Sequence, residues 1–205
     1  MLTVLDVLRG EVDALIHALG DLPAAAWERP TRCAPWLVKD VVGHLVTTMS
    51  RLPGMIAGPA PTVASVTAAD YYRAGSRFAG DTDADRIESA RRRAASADPA
   101  TLVEALSMAC HESISLGANQ PPARVVQTRH GDAMLLSEFL STRVVELGLH
   151  GLDIADAAAR PPWITAAATD HLLRLLFPDT APKIALLRLA TGRGPENRLT
   201  FGPDS

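Results

Sequence analysis

The sequence predicts an all-α fold, a four-helix bundle with additional short helices. Apolar residues recur at spacings of three and four along four long stretches, the mark of helices that each bury one stripe. Aromatic residues make up only 4% and β-branched runs are scarce, while alanine, leucine, arginine and valine dominate. Prolines gather between the periodic stretches. With 205 residues, 47% apolar and 21% charged, the chain has the composition of a folded domain and can build one core.

The elements follow in order. Val4, Leu5, Leu8, Val12, Leu15, Ile16 and Leu19 predict a helix over 3–19, ended by Gly20 and Pro23. Three prolines and two tryptophans in 23–36 predict an ordered loop rather than a helix. A second helix runs from Leu37 to Leu52 on the stripe Val38, Val41, Val42, Leu45, Val46 and Met49. Pro53 and Gly54 close it, and 53–66 reads as a surface loop. Short helices are predicted at 67–78 and 83–96, with Asp81 and Asp83 at the break between them. The run Arg91, Arg92, Arg93 reads as a solvated helix face. Asp98 and Pro99 open the next helix as N-cap and first residue; Leu102, Val103, Leu106, Ala109 and Cys110 form its stripe. After a connection at 123–131, the longest periodic element spans 132–159, its core face made of Leu135, Leu136, Phe139, Leu140, Val144, Leu147, Leu149 and Ile154. Further helices are predicted at 165–176 and 183–190. The tail from Gly192 has no periodicity. Residues 53–98 are expected to pack outside the four-helix core. Residues 1–160 then form the bundle, and 161–205 a helical extension with a loose tail, not a full second domain.

Composition also narrows function. A net charge of -3 and a pI near 6.1 argue against a nucleic-acid binder working through a basic surface. Cys33 and Cys110 lie far apart with no CxxC spacing, which predicts two unpaired thiols in a reducing compartment. The N-terminus has no basic region before an apolar run, so it does not read as a signal peptide, and no apolar run suits a membrane span. A cytoplasmic protein without nucleic-acid or membrane partners is expected. No GxGxxG, Walker loop, GxSxG or HExxH occurs.

Chemistry is sought in polar residues on faces that ought to be buried. His44 sits mid-helix among Val41, Val42 and Leu45. Glu146 and His150, four residues apart, project from one face of the long helix. A carboxylate flanked by Val144, Val145, Leu147 and Leu149 is costly to bury alone, and a cation offsets that cost. His44, Glu146 and His150 together make a His₂Glu set with open positions, the pattern of a catalytic rather than a structural zinc. Nickel and iron accept the same donors. His44 read singly also fits a hydrogen-bonded core histidine, and Glu146–His150 a surface pair. Asp153 shares the face of His150 and is placed to accept its second ring N–H. Arg143, three residues before Glu146, is placed to hold that carboxylate or a substrate anion. His17, His111, His130 and His171 are weaker candidates, His111 the best of them.

Two runs carry a resemblance. Trp27, Pro30, Thr31, Cys33, Trp36 and the stretch Val38-Lys39-Asp40-Val41-Val42-Gly43-His44-Leu45 form the first; Arg143, Glu146, His150-Gly151 and Asp153-Ile154-Ala155 form the second. Together they resemble the two signatures of the mycothiol-dependent maleylpyruvate isomerase family, part of the DinB-like bundle superfamily. The resemblance implies a DinB-like four-helix bundle with a divalent metal, usually zinc, on the residues matching His44, Glu146 and His150. It also implies mycothiol, a low-molecular-weight thiol, as cosubstrate. The start of the second helix departs from the pattern, because Leu37 has no side-chain oxygen with which to cap it.

The expected activity is that of a metal-dependent, mycothiol-using enzyme of the S-transferase or isomerase type acting on small electrophiles. Arg143 and Asp153 are its expected auxiliary residues. A non-catalytic DinB-like protein that binds a metal or small ligand in the same pocket fits the residues as well. A homodimer is the expected assembly.

Overall fold

The computed structural model describes residues 2–73, 80–95 and 97–177, together with 179, 183, 184 and 186. Helix α1 (Val4–Gly20) opens with a capping box. Thr3 accepts the Asp6 N–H, and the Asp6 carboxylate accepts the Thr3 N–H. A 3₁₀ turn over Ala24–Glu28 follows, then α2 (Val38–Met49). The start of α2 lacks a capping oxygen at Leu37, as the sequence indicates. Asp40 supplies the carboxylate instead, accepting the Leu37 N–H at 2.9 Å, and Arg29 O accepts the Val38 N–H. Half a capping box thus suffices.

The segment after α2 corrects the sequence reading. Residues Leu52–Ala57 form the short helix α3, which Pro53 begins rather than prevents, because a proline is tolerated in the first turn where its missing N–H is not needed. Helices α4 (Ala68–Arg73) and α5 (Gly80–Ala95) come next. Asp81 and Asp83 fall in the first turn of α5, not at a break. Helix α6 (Pro99–Ala118) begins as expected, with Asp98 accepting the Thr101 N–H.

The connection after α6 holds two short antiparallel strands, β1 (Val125–Gln127) and β2 (Ala133–Leu135), with Val126 opposite Met134. The long helix α7 (Leu136–Ala158) therefore starts four residues later than its apolar pattern suggests. Met134 and Leu136 are apolar and buried in either conformation, so periodicity alone does not separate strand from helix there. Helix α8 (Ala166–Leu176) closes the described fold. Most of the helix expected at 183–190, and the tail from 192, lie outside the described residues.

Around the bundle the neighbours run α1, α6, α2, α7 and back to α1. Leu8, Leu15, Leu45, Met49, Leu102, Leu106, Leu147 and Ile154 fill its interior. Helix α5 packs on α2 from outside this ring, as expected of the region between the second and third long helices. Its approach is close because Gly43 faces it: a Cβ at 43 would lie 2.7 Å from the Ala90 carbonyl oxygen.

Helix α8 is tied to α1 by a buried acid that the sequence reading did not single out. Glu11 accepts the Thr165 N–H at 3.0 Å and the Thr165 O–H at 2.9 Å. Burial raises its carboxyl above the usual range, against the two hydrogen bonds that lower it. Glu11→Ala is expected to destabilise the fold by about 1–3 kcal/mol, because it leaves the α8 cap without its acceptor. Calorimetric melting of the variant against Glu11→Gln, which keeps an acceptor, reads this directly.

Candidate metal centre

The α2–α7 seam brings together the three residues that the sequence set apart. His44, from the middle of α2, is 5% exposed. Its Nε2 lies 3.2 Å from Glu146 Oε2, and His150 Nε2 lies 3.7 Å from the same oxygen. The Glu146 side chain is 18% exposed. One donor atom from each of the three falls within 4.8 Å of the others. Ligands about 2.0–2.1 Å from a tetrahedral zinc stand about 3.3 Å apart, so these two contacts are near the edges of such a site. Two imidazoles and one carboxylate are also a donor set that zinc accepts. The residues fit a divalent cation in both chemistry and spacing.

Electrostatics agree with that fit. Burial alone pushes the Glu146 carboxyl up. The hydrogen bond from His44 and the charges of Arg143, His150 and His44 outweigh it and hold the group well below the usual carboxylate range. His150 moves the other way. Burial lowers its imidazole, but the bonds to Asp153 and Cys33 and the Glu146 charge raise it above its ordinary value. Protons thus balance the carboxylate in the cation-free cluster, a role that a divalent cation would also fill.

Asp153 Oδ2 accepts from His150 Nδ1 at 3.0 Å. An ionised carboxylate can only accept, so Nδ1 carries a proton whatever the charge of the ring, and Nε2 faces Glu146. The same oxygen accepts from Cys33 Sγ at 3.1 Å, and Arg32 Nε lies 3.8 Å from the other oxygen. Cys33, His150 and Asp153 form a second cluster of possible donors. Its short contacts are hydrogen bonds that converge on one carboxylate and orient His150. Both cysteines are free thiols, and Cys110 is buried in the core.

Arg143 does not pair with Glu146 directly. Its Nη1 donates to Thr48 O at 3.2 Å, its Nε and Nη2 donate to Thr142 Oγ1, and the guanidinium lies over the Phe139 ring. It is buried and touches no cavity wall described around the site, so it acts on Glu146 through its charge. Leu149 is also placed differently from the sequence reading. It is 42% exposed and lines a cavity of about 320 Å³ with Arg32, Tyr72, Glu146, His150, Leu152 and Asp153. Its position three residues after Glu146 sets it on the helix face that opens beside the cluster.

Three further side chains shape the site. Tyr72, on α4, has its hydroxyl 3.3 Å from Glu146 Oε1 and 3.1 Å from Thr142 O, two acceptors that share its one proton. The Trp36 ring packs 4.8 Å from the His44 ring and 6.1 Å from that of His150. Cys33 completes the Asp153 contacts. No local pattern marks Tyr72, because it lies 74 positions from Glu146 and on a helix too short for periodicity. The weaker histidines stay outside the cluster. His17 meets Asp21, His111 bonds Ser107 O, His130 lies by Tyr71, and His171 is on α8.

An all-α DinB-like bundle with a His–Glu–His cluster on one seam is the class that this fold and site define. The profile of the mycothiol maleylpyruvate isomerase N-terminal domain matches residues 8–155, and the chain belongs to that family. The match spans both α2 and α7, so it contains every residue of the cluster. No curated protein and no solved structure matches the chain. Among the described residues no helix is long and apolar enough to cross a membrane.

Proposed function

We propose that this protein is a metal-dependent enzyme that uses mycothiol, of the S-transferase or isomerase type, acting on small electrophiles. The observation that carries the reading is the convergence of His44, Glu146 and His150 beside a cavity of about 320 Å³. Membership of a family named for mycothiol supports the thiol as cosubstrate.

His44, Glu146 and His150 would hold the ion, zinc by donor preference. When bound, it lowers the pKa of a thiol and so favours a thiolate at neutral pH. The chain's own residues prepare the place. Asp153 keeps the Nδ1 proton of His150 and thereby turns Nε2 toward the seam. Tyr72 donates to Glu146 Oε1 and leaves Oε2 toward both imidazoles. Arg143 holds Glu146 ionised from behind. Trp36 packs against the imidazoles of His44 and His150 and restrains them. Leu149 and Leu152 give the cavity an apolar wall for the electrophile, and Arg32 lies on its lining, paired with Asp156 at 2.7 Å. Two unpaired thiols suit a reducing, cytoplasmic setting.

The full chain loaded with zinc and given mycothiol and monochlorobimane is expected to form the thioether. The thiol sulfur bonds to the bimane carbon, chloride leaves, and the thiol proton passes to solvent. Fluorescence should rise with enzyme concentration, stop on chelation and return with zinc. A stoichiometrically zinc-loaded protein that gives no rate above the uncatalysed reaction, with this electrophile and with maleylpyruvate, overturns the catalytic reading.

A further inference from the structure

A second cavity, of about 340 Å³, opens between α3 and the turn joining β1 to β2. Arg51, Gly54, Met55, Gly58 and Pro59 line one side, and Gln127, Thr128 and Arg129 the other. None of the cluster residues on the α2–α7 seam contributes to it. Its charge is unbalanced. Arg51 is partly buried, and among the described residues its guanidinium has no carboxylate partner. Arg129 is exposed and donates from Nε to His130 Nε2 at 3.1 Å, again without a carboxylate. Arg143 is close enough to add its charge from the core side. Burial and then the charges of Arg129 and Arg143 pull the Arg51 guanidinium down to about 10, outweighing the opposite influence of Tyr71 and Glu146.

Cations brought together without a counter-ion destabilise a fold. Arg51 and Arg129 face one cavity from its two sides and repel each other there, a placement that an anion between them would relieve. The forked N–H donors of arginine match the oxygens of carboxylate and phosphate. Gly54 lines the cavity between the two arginines, and a Cβ there would find nothing within 4 Å.

We propose that this cavity is an oxyanion-binding pocket in which Arg51 and Arg129 clasp the carboxylate or phosphate group of a small ligand. The pocket does not depend on a metal at the seam and stands if that seam holds none.

Isothermal titration and melting of the full chain at low salt, with orthophosphate and separately with malonate, test it. Saturable binding of at least one probe is expected, with a rise in Tm because the ligand binds the folded state. Phosphate alone assigns a tetrahedral ligand, malonate alone a carboxylate; either supports the pocket. Arg51→Gln and Arg129→Gln should each weaken binding about tenfold or more, the loss expected for a charge-assisted contact. Gly54→Leu fills the cavity without changing charge and should abolish binding. Arg51→Gln should melt no lower than the parent, since it relieves repulsion and breaks no bond. Glu146→Ala should keep the affinity, which separates this pocket from a metal-bound anion. Arg9→Gln, at an exposed ion pair with Asp6, should change nothing. Binding of neither probe, or undiminished binding in Arg51→Gln and Gly54→Leu, or an equal loss in Arg9→Gln, overturns the proposal.

Discussion

Glu146→Ala is expected to leave the purified protein with less than about a tenth of the zinc held by the parent, a loss of at least about 100-fold in affinity. The carboxylate is the anionic donor of the cluster and the one shared by both imidazoles, at 3.2 Å and 3.7 Å. Without it two imidazoles face each other with Arg143 behind them, a setting that repels a cation. His44→Ala should act in the same direction, and Glu112→Ala, an exposed acid on α6, should have no effect. Elemental analysis of protein expressed without added nickel settles the result. Unchanged stoichiometric metal in both Glu146→Ala and His44→Ala excludes the centre. The cation-free protein carries a second signature. The folded-state pKa of Glu146 lies below its ordinary value of 4.5, so its contribution to stability is present above that pH and lost as pH falls. His150 has the opposite sign: its contribution is complete below about 6.5 and fades as pH rises through its raised folded value. Cation-free parent protein should therefore melt highest between these limits. Glu146→Ala should lose the acid-side dependence due to this group.

Gly43→Val is expected to cause a large loss of stability from the addition of one small side chain on α2. A Cβ there would stand 2.7 Å from Ala90 O and 3.4 Å from Ala94 N, both backbone atoms of α5. Backbone cannot swing aside as a side-chain tip can, so α5 must move off α2 as a body. Overpacking of this kind costs about 1–3 kcal/mol, and more where nothing yields. For a chain of this size each kcal/mol lowers Tm by about 2–4 °C. Glycine is itself a poor helix former, so Gly43→Ala also gains about 1 kcal/mol of propensity, and the extra methyl groups of valine keep the clash dominant. Gly10, on an exposed face of α1 with open space around its Cα, is the control. Gly10→Ala should stabilise by about 0.5–1 kcal/mol. Calorimetry distinguishes the two signs. A Gly43→Val protein that melts with the parent means that α5 is not seated on α2. The seat matters to the centre because His44 is the next residue along, and a displaced α5 releases the outer face of the helix that carries it.

The order and nature of the main helices are local properties, and residues a few positions apart were enough to read them. Thr3 with Asp6, Asp98 with Pro99, and the three-and-four spacing of Leu8, Val12, Leu15 and Leu19 act within one or two turns. The pairing of Glu146 with His150 was legible for the same reason, since a helix puts positions four apart on one face. Burial logic and the resemblance suggested His44 as a partner, but its distance from Glu146 depends on how α2 packs on α7. That packing also decided what spacing cannot encode. Arg143 turns to Thr48 and Thr142 instead of Glu146, Leu149 faces a cavity instead of the core, and Tyr72 and Cys33 reach the centre from 74 and 120 positions away. The strands at 125–127 and 133–135 were hidden because buried apolar residues suit either conformation, and only pairing across the turn selects one. Periodicity reports which side of an element is apolar. Which polar groups meet across elements depends on crossing geometry and on the cost of leaving each one unpaired, and both arise only when the helices pack.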